Sequence, residues 1–350
     1  MLHYDNAPCH TASWIMWSGS FIEAHCQRVL KHCRLYLQTD FHGKRFYTPR
    51  RAILYVPGDD ERKIRKALSL KVDCIALDCE DGVASNRKNV ARSTIRHFLD
   101  KECVSQQFPE WTVRVNSVDS GMCEEDLRVI LTGPQKPPTL LLPKVDCIKQ
   151  LQWFADKLSV IIGDERNKIK MNLILFIESA KGIMDLPTIC QKSIELAEKS
   201  CFLPVALIIG SDDLCADLGI SRSDDGYEIL YARQRLVLIA KAFNFQAVDM
   251  VDINYKDLPA LKKHSIAGAR MGFTGKQVIH PNQVRIVQDA FSPTPEKVQW
   301  ATDLIAAFNE HQLKGKGAFV YKGSMIDMPL LRQAQHIMQL AKMDKHNLQQ

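Results

Sequence analysis

Cys74-Ile75-Ala76-Leu77-Asp78-Cys79-Glu80-Asp81, Leu173-Ile174-Leu175-Phe176-Ile177-Glu178 and Ala206-Leu207-Ile208-Ile209-Gly210-Ser211-Asp212-Asp213 are three short apolar runs that each end in carboxylates. Unbroken apolar runs of this length are the pattern of parallel strands buried on both faces. A carboxylate at the end of such a strand is costly to desolvate unless something compensates it. Several of them converging on one point repel each other, and a divalent cation is a direct remedy. Oxygen ligands without a His or Cys pattern favour magnesium or manganese over zinc. The three runs therefore point to a parallel-sheet protein with an acidic metal site at the carboxyl ends of its strands.

Outward from these runs, strand and helix patterns alternate. Ala52 to Pro57 reads as a first strand, Gly58-Asp59-Asp60 as a turn with a helix N-cap, and Glu61 to Leu70 as a helix. Trp111 to Asn116 and Thr139 to Lys144 read as the third and fourth strands, with helices near 86–99, 124–131 and 147–162. Tyr227 to Phe243 is a long amphipathic helix, and Gln246 to Val251 a seventh strand. Ala269-Arg270-Met271-Gly272-Phe273-Thr274 is short, broken by glycine and read as the eighth. Eight such units over roughly 240 residues match the size of a (β/α)₈ TIM barrel of the α/β class. Residues 47–291 are assigned to it. Residues 292–350 are read as a C-terminal helical arm, opened by Thr294-Pro295-Glu296 with cap and first-turn proline in order. A doubly wound sheet is the alternative.

Composition narrows the function. The 350 residues are 46% hydrophobic and carry a net charge of +6, with both signs mixed along the chain. No basic tract is long enough to suggest nucleic acid. No apolar stretch reaches the ~18 residues that span a membrane. Eleven cysteines without a CxxC pair read as reduced thiols rather than a disulfide framework. Residues 1–46 are basic and acid-poor, which fits an organelle-targeting segment.

Within the barrel pattern, Glu178 and Asp213 stand where barrel enzymes place their sites, with a salt bridge to a barrel cation as the bland alternative. Asp78 and Glu80 share a strand face by the period of two, and Asp81 points away. Arg62 and Lys66, beside Lys63 and Arg65, open a helix and suit a phosphate-bearing ligand; a solvated helix face is the alternative. Arg114 ends a strand, where it is either a clamp for a carboxylate or oxyanion or a structural partner of Asp78 or Glu178. The glycines of Gly272-Phe273-Thr274-Gly275-Lys276 are read as allowing close approach of the backbone to a ligand. Asp327, two residues before Pro329, reads from spacing alone as a helix N-cap.

Together Tyr55-Val56-Pro57-Gly58, Leu77-Asp78-Cys79-Glu80-Asp81-Gly82-Val83, Arg114-Val115-Asn116-Ser117, Leu142-Pro143-Lys144-Val145, Gly272 to Pro281 and Gly323 to Pro329 resemble the CitE and malyl-CoA lyase enzymes of the HpcH/HpaI aldolase superfamily, its animal mitochondrial members above all. The resemblance runs from about Tyr47 to Ala341. It implies a TIM barrel, commonly a homotrimer, that binds Mg2+ and an acyl-CoA thioester. By motif position Glu178 and Asp213 are the implied magnesium ligands, and Tyr55, Arg62 and Lys66 the implied CoA contacts. Arg114 is the implied substrate-binding and catalytic arginine, and Asp327 the implied catalytic aspartate, on an arm that a neighbouring subunit can supply. The implied reaction is cleavage of citramalyl-CoA to pyruvate and acetyl-CoA in the mitochondrial matrix. The alternatives are malate or methylmalate synthase-type condensation, and a non-catalytic acyl-CoA-binding subunit. Where the family reads Gly-Glu-Asp, this chain reads Gly210-Ser211-Asp212-Asp213.

Overall fold

The computed structural model describes residues 48–102, 109–163, 169–313, 319–321 and 323–348. The expected targeting segment, residues 1–46, and the glycine-rich link at 314–317 lie outside the described residues. Chain contacts divide the chain after Thr48, and every strand and helix described below belongs to the unit Pro49–Gln350.

Eight parallel strands close a barrel in sequence order, with β8 pairing back onto β1. They are β1 (Ala52–Pro57), β2 (Cys74–Asp78), β3 (Glu110–Arg114), β4 (Thr139–Leu142), β5 (Met171–Ile177), β6 (Phe202–Ile209), β7 (Gln246–Asp249) and β8 (Gly275–Val278). The connecting helices are α1 (Glu61–Leu68), α2 (Lys88–Glu102), α3 (Cys123–Leu131), α4 (Ile148–Ile162), α5 (Ala180–Ala197), α6 (Ser211–Leu218), α7 (Leu230–Ala242), α8 (Leu258–Met271) and α9 (Pro281–Phe291). This is the TIM barrel expected from the alternating pattern.

The period of two divides each strand between two cores. Ile53, Cys74, Ala76, Leu141, Ile174, Phe176, Ala206, Ile208 and Val248 form one cluster, the barrel interior, with Tyr55 packed against it. Their neighbours Leu54, Ile75, Leu77, Leu140, Leu173, Leu175, Leu207 and Ala247 belong to the larger cluster beneath the helices. Carrying the inner alternation one step on reaches Asp78 after Ala76, Glu178 after Phe176 and Gly210 after Ile208. The strand period thus delivers those three positions to the carboxyl end of the barrel. The opposite end is plugged by Arg50, which donates to both oxygens of Glu110 at 2.5 and 2.6 Å, with Thr139 and Asn172 donating to the same carboxylate.

Three expectations are corrected here. Ala269–Met271 is the last turn of α8, not the eighth strand. Asp257 caps that helix by accepting from the Ala260 N–H at 3.0 Å, and Gly272 ends it at φ +109°, with the Phe273 N–H closing onto the Gly268 carbonyl. Only Gly can take that conformation cheaply, so the strand begins later, at Gly275. The closeness that Gly275 permits is to its own barrel rather than to a ligand: a Cβ there would stand 1.9 Å from the Arg50 carbonyl oxygen. Asp213 is the third correction, since β6 ends at Ile209 and Asp213 lies in the first turn of α6.

Beyond the barrel, α10 (Pro295–Leu313) and α11 (Met328–Leu348) flank the antiparallel pair β9 (Phe319–Tyr321) and β10 (Ser324–Ile326). They share a small core of Ala301, Leu304, Phe308, Ile326, Leu331 and Ala334. No helix among the described residues is long and apolar enough to cross a membrane.

Gly275→Ala is expected to destabilise the fold by roughly 2–3 kcal/mol or more, because the β1 backbone has nowhere to move in a closed barrel. A urea midpoint equal to that of the unaltered chain would contradict this packing.

Candidate active site at the barrel mouth

Asp78 and Arg114 stand side by side in the β2–β3 register. Arg114 grips Asp78 with two hydrogen bonds, at 2.7 and 2.6 Å, and reaches Glu80 at 2.9 Å and Asp81 at 3.7 Å. The structural pairing with Asp78 is therefore present, and Arg114 also lines the mouth. Asp78 accepts in addition from the Glu80 and Gly82 N–H groups, which fixes the turn after β2. The Tyr55 ring lies 4.9 Å from the guanidinium. Its buried hydroxyl has no hydrogen-bond partner among the described residues, and burial holds its pKa well above the ordinary phenol value.

Asp81 does not point away as strand alternation suggests. β2 ends at Asp78, so the period of two no longer applies, and the turn swings Asp81 into the same cluster. There Lys144, just past β4, bridges Glu80 at 3.1 Å, Asp81 at 3.5 Å and Asp213 at 3.6 Å. Glu178, on the other side, is 5% exposed. Burial first, then its hydrogen bond with Asp213 and the charge of Glu80, pushes its pKa well above the usual carboxylate range. Gly210 makes room for it: a Cβ there would stand 2.5 Å from the Glu178 Cγ. Asp212 turns aside and pairs with Arg222 at 2.8 and 3.0 Å.

Asp78, Glu80, Asp81, Glu178 and Asp213 are thus gathered at one mouth, and among the described residues the cations paired with their carboxylates are Arg114 and Lys144. Each cation is divided among several carboxylates, so none receives a full counter-charge. Glu80 registers the shortfall: burial, the largest influence, and Asp81 lift its pKa to about 7 against Arg114 and Lys144. The donor set suits a hard divalent cation. Among the described residues no three His, Cys, Asp or Glu side chains stand together in metal-binding geometry. Magnesium, however, needs only one or two protein carboxylates and keeps several waters. Glu178 and Asp213 supply two, beside the space that Gly210 leaves.

The mouth encloses about 400 Å³ and is walled by Phe176, Val251, Ile279 and Pro57 as well as by the acids, a size and mixture suited to a small polar ligand. Through Pro57 and Gly82 it continues into a groove along Asp60, Arg62, Lys63 and Arg87. Arg62 is almost wholly exposed there, 4.0 Å from Asp60. Lys66 is exposed on the same helix but does not line the groove. Asp327 is exposed at the start of α11, where it accepts from the Leu330 N–H at 3.2 Å. The N-cap read from spacing is therefore present, and in its own chain Asp327 does not line the mouth. Sequence reasoning passed over Lys144, Gly210 and Gln277, all at the mouth. The inner alternation past Ile208 was the available signal for Gly210.

A closed eightfold barrel with a carboxylate-lined mouth is the frame of a TIM-barrel enzyme, and the comparisons with known proteins narrow this class. The model of the HpcH/HpaI aldolase/citrate lyase family matches residues 51–281, and the chain belongs to that family. It is 50% identical over 308 residues to human citramalyl-CoA lyase, mitochondrial, covering 88% of this chain and 89% of that one. It is 28% identical over 297 residues to the citrate lyase subunit beta of Leuconostoc mesenteroides subsp. cremoris, covering 83% and 93%. Among solved structures, CitE from Mycobacterium tuberculosis in complex with magnesium, acetoacetate and coenzyme A has a TM-score of 0.66 at 26% identity, covering 84% of this chain and 98% of that one.

A pH test follows from Glu80. Its carboxyl binds a proton up to about 7 in the fold, against an ordinary value of 4.5. The metal-free folded state therefore holds a proton that the unfolded chain has released, and stability falls as pH rises between those values. Urea midpoints in EDTA are expected to show this slope, and Glu80→Gln to flatten it. An equal slope in both proteins would contradict the assignment.

Proposed function

We propose that this chain is a magnesium-dependent carbon–carbon lyase that cleaves citramalyl-CoA to pyruvate and acetyl-CoA. The observation that carries the reading is that Glu178 and Asp213 line one mouth beside Gly210, both touched by Lys144, where carboxylates outnumber the cations paired with them. The 50% identity to proteins named citramalyl-CoA lyase supports the substrate.

Glu178 and Asp213 would hold the ion. Bound there, magnesium supplies Lewis acidity to the carboxylate and hydroxyl oxygens of the 2-hydroxy-acid end of the substrate. The bond between the hydroxyl-bearing carbon and the carbon next to the thioester breaks. Its electron pair passes to the thioester, and the hydroxyl oxygen becomes the pyruvate keto group as its proton passes to solvent water. Arg114, fixed by Asp78, presents positive charge to the developing enolate. Asp327 delivers a proton to the acetyl-CoA carbon and acts as the base in the reverse, synthetic direction. Because Asp327 lies away from its own mouth, this role calls for the arm of a neighbouring copy, consistent with a homotrimer. Tyr55 contacts the thioester end, while Arg62 along the groove and Lys66 outside it on the same helix meet the phosphates of CoA.

In this reading residues 47–291 are the lyase domain, 292–350 the arm that carries the acid, and 1–46 a mitochondrial leader to the matrix. The three relatives at 50% identity are named mitochondrial.

Pyruvate release from citramalyl-CoA tests the proposal. Release is expected with magnesium, lost in EDTA, with acetyl-CoA intact. Asp327→Asn is expected to keep metal and ligand binding and lose about 10²–10⁴-fold in turnover. Free CoA thiol in place of acetyl-CoA would point instead to synthase or thioesterase chemistry, and ordinary turnover by Asp327→Asn would remove that residue from the mechanism.

A further inference from the structure

Lys144 is placed with unusual care. Its φ is +53°, and Asn244 is the other non-glycine residue with positive φ among those described. A lysine rarely adopts this conformation, and when it does the surroundings hold it there. They do so here: the Lys144 N–H donates to Glu178 Oε1 at 3.2 Å, and the next N–H, of Val145, donates to the Phe176 carbonyl at 3.1 Å. The strained turn leaves the side chain only about one third exposed and sets Nζ among Glu80, Asp81 and Asp213, at 3.1, 3.5 and 3.6 Å. One residue therefore touches acids that follow β2, β5 and β6, through its backbone on one side and its ammonium on the other.

We infer that Lys144 is a positioning residue that serves as the resident counter-cation of the mouth, competing with the divalent cation for Asp213 and so setting its affinity. The inference rests on Glu178 and Asp213 as the metal ligands. In the metal-free protein the ammonium lowers the mutual repulsion of Glu80, Asp81 and Asp213. When the metal binds, the same positive charge opposes it across a few ångströms. A merely structural Lys144 would act in the opposite sense, because its loss would loosen Glu178 and Asp213 and weaken binding. The sign of the change in metal affinity separates the two.

The test is calorimetric titration of the full chain with Mg2+ alone, after removal of metal. Lys144→Met is expected to bind Mg2+ about tenfold more tightly, the scale of removing one charge some 5 Å from a divalent ion in a water-filled mouth. Lys144→Arg is expected to stay near the original affinity. In EDTA the melting temperature of Lys144→Met is expected to fall, and its rise on adding Mg2+ to exceed that of the unaltered chain. Lys144→Gln carries the same expectations and serves if Lys144→Met does not fold. Equal or weaker Mg2+ binding in the neutral variants overturns the inference. Glu178→Gln tests the reading beneath it: binding kept in that variant overturns the ligand assignment, whereas binding lost there and unchanged in Lys144→Met overturns the role of Lys144 alone.

Discussion

Arg114 is asked to balance Asp78, Glu80 and Asp81 at once, and Lys144 to balance Glu80, Asp81 and Asp213. Two positive charges, a guanidinium and an ammonium, shared this widely leave the mouth of the barrel short of positive charge. Burial sharpens the shortage, since the interior screens charge less than water does. Glu178 and Glu80 respond by holding protons at pH values where an exposed carboxylate has lost them. The barrel holds this unfavourable group together because its stability resides elsewhere, in the apolar layers within the barrel and beneath the helices. A site strained in charge on a frame that is not strained in packing is suited to receive a cation.

The same physics is arranged differently at the two ends of the barrel. At the floor, Glu110 is matched by Arg50 and by hydrogen bonds from Thr139 and Asn172. That carboxylate is satisfied, and the floor is structural. At the mouth the acids outnumber the cations paired with them, and the buried Tyr55 hydroxyl has no partner among the described residues. The contrast agrees with the general division of TIM barrels, in which the carboxyl ends of the strands carry chemistry and the opposite face stability.

Much of this was legible in the chain. The runs ending at Asp78, Glu178 and Ile209 announce strands by their apolar continuity, and the period of two within them places Asp78 and Glu178 at the mouth. What failed did so where a local signal was overridden. Ala269–Met271 has the look of a strand, but the Asp257 cap and the positive φ of Gly272 make it the end of a helix. Asp81 escaped because alternation ceases where β2 stops. Lys144 escaped because nothing in Leu142-Pro143-Lys144-Val145 reveals a left-handed backbone in a lysine. Asp327 shows the limit of spacing: the cap is real, but a cap says nothing of what its exposed carboxylate can meet on another molecule.

The central claim is that the excess carboxylate at the mouth is a metal site built on Glu178 and Asp213. Anomalous diffraction from crystals grown with Mn2+ tests it most directly. The account predicts one strong peak within coordination distance of both carboxylates, next to Gly210. A mouth without a peak, or a peak held by Glu80 and Asp81 alone, would contradict it.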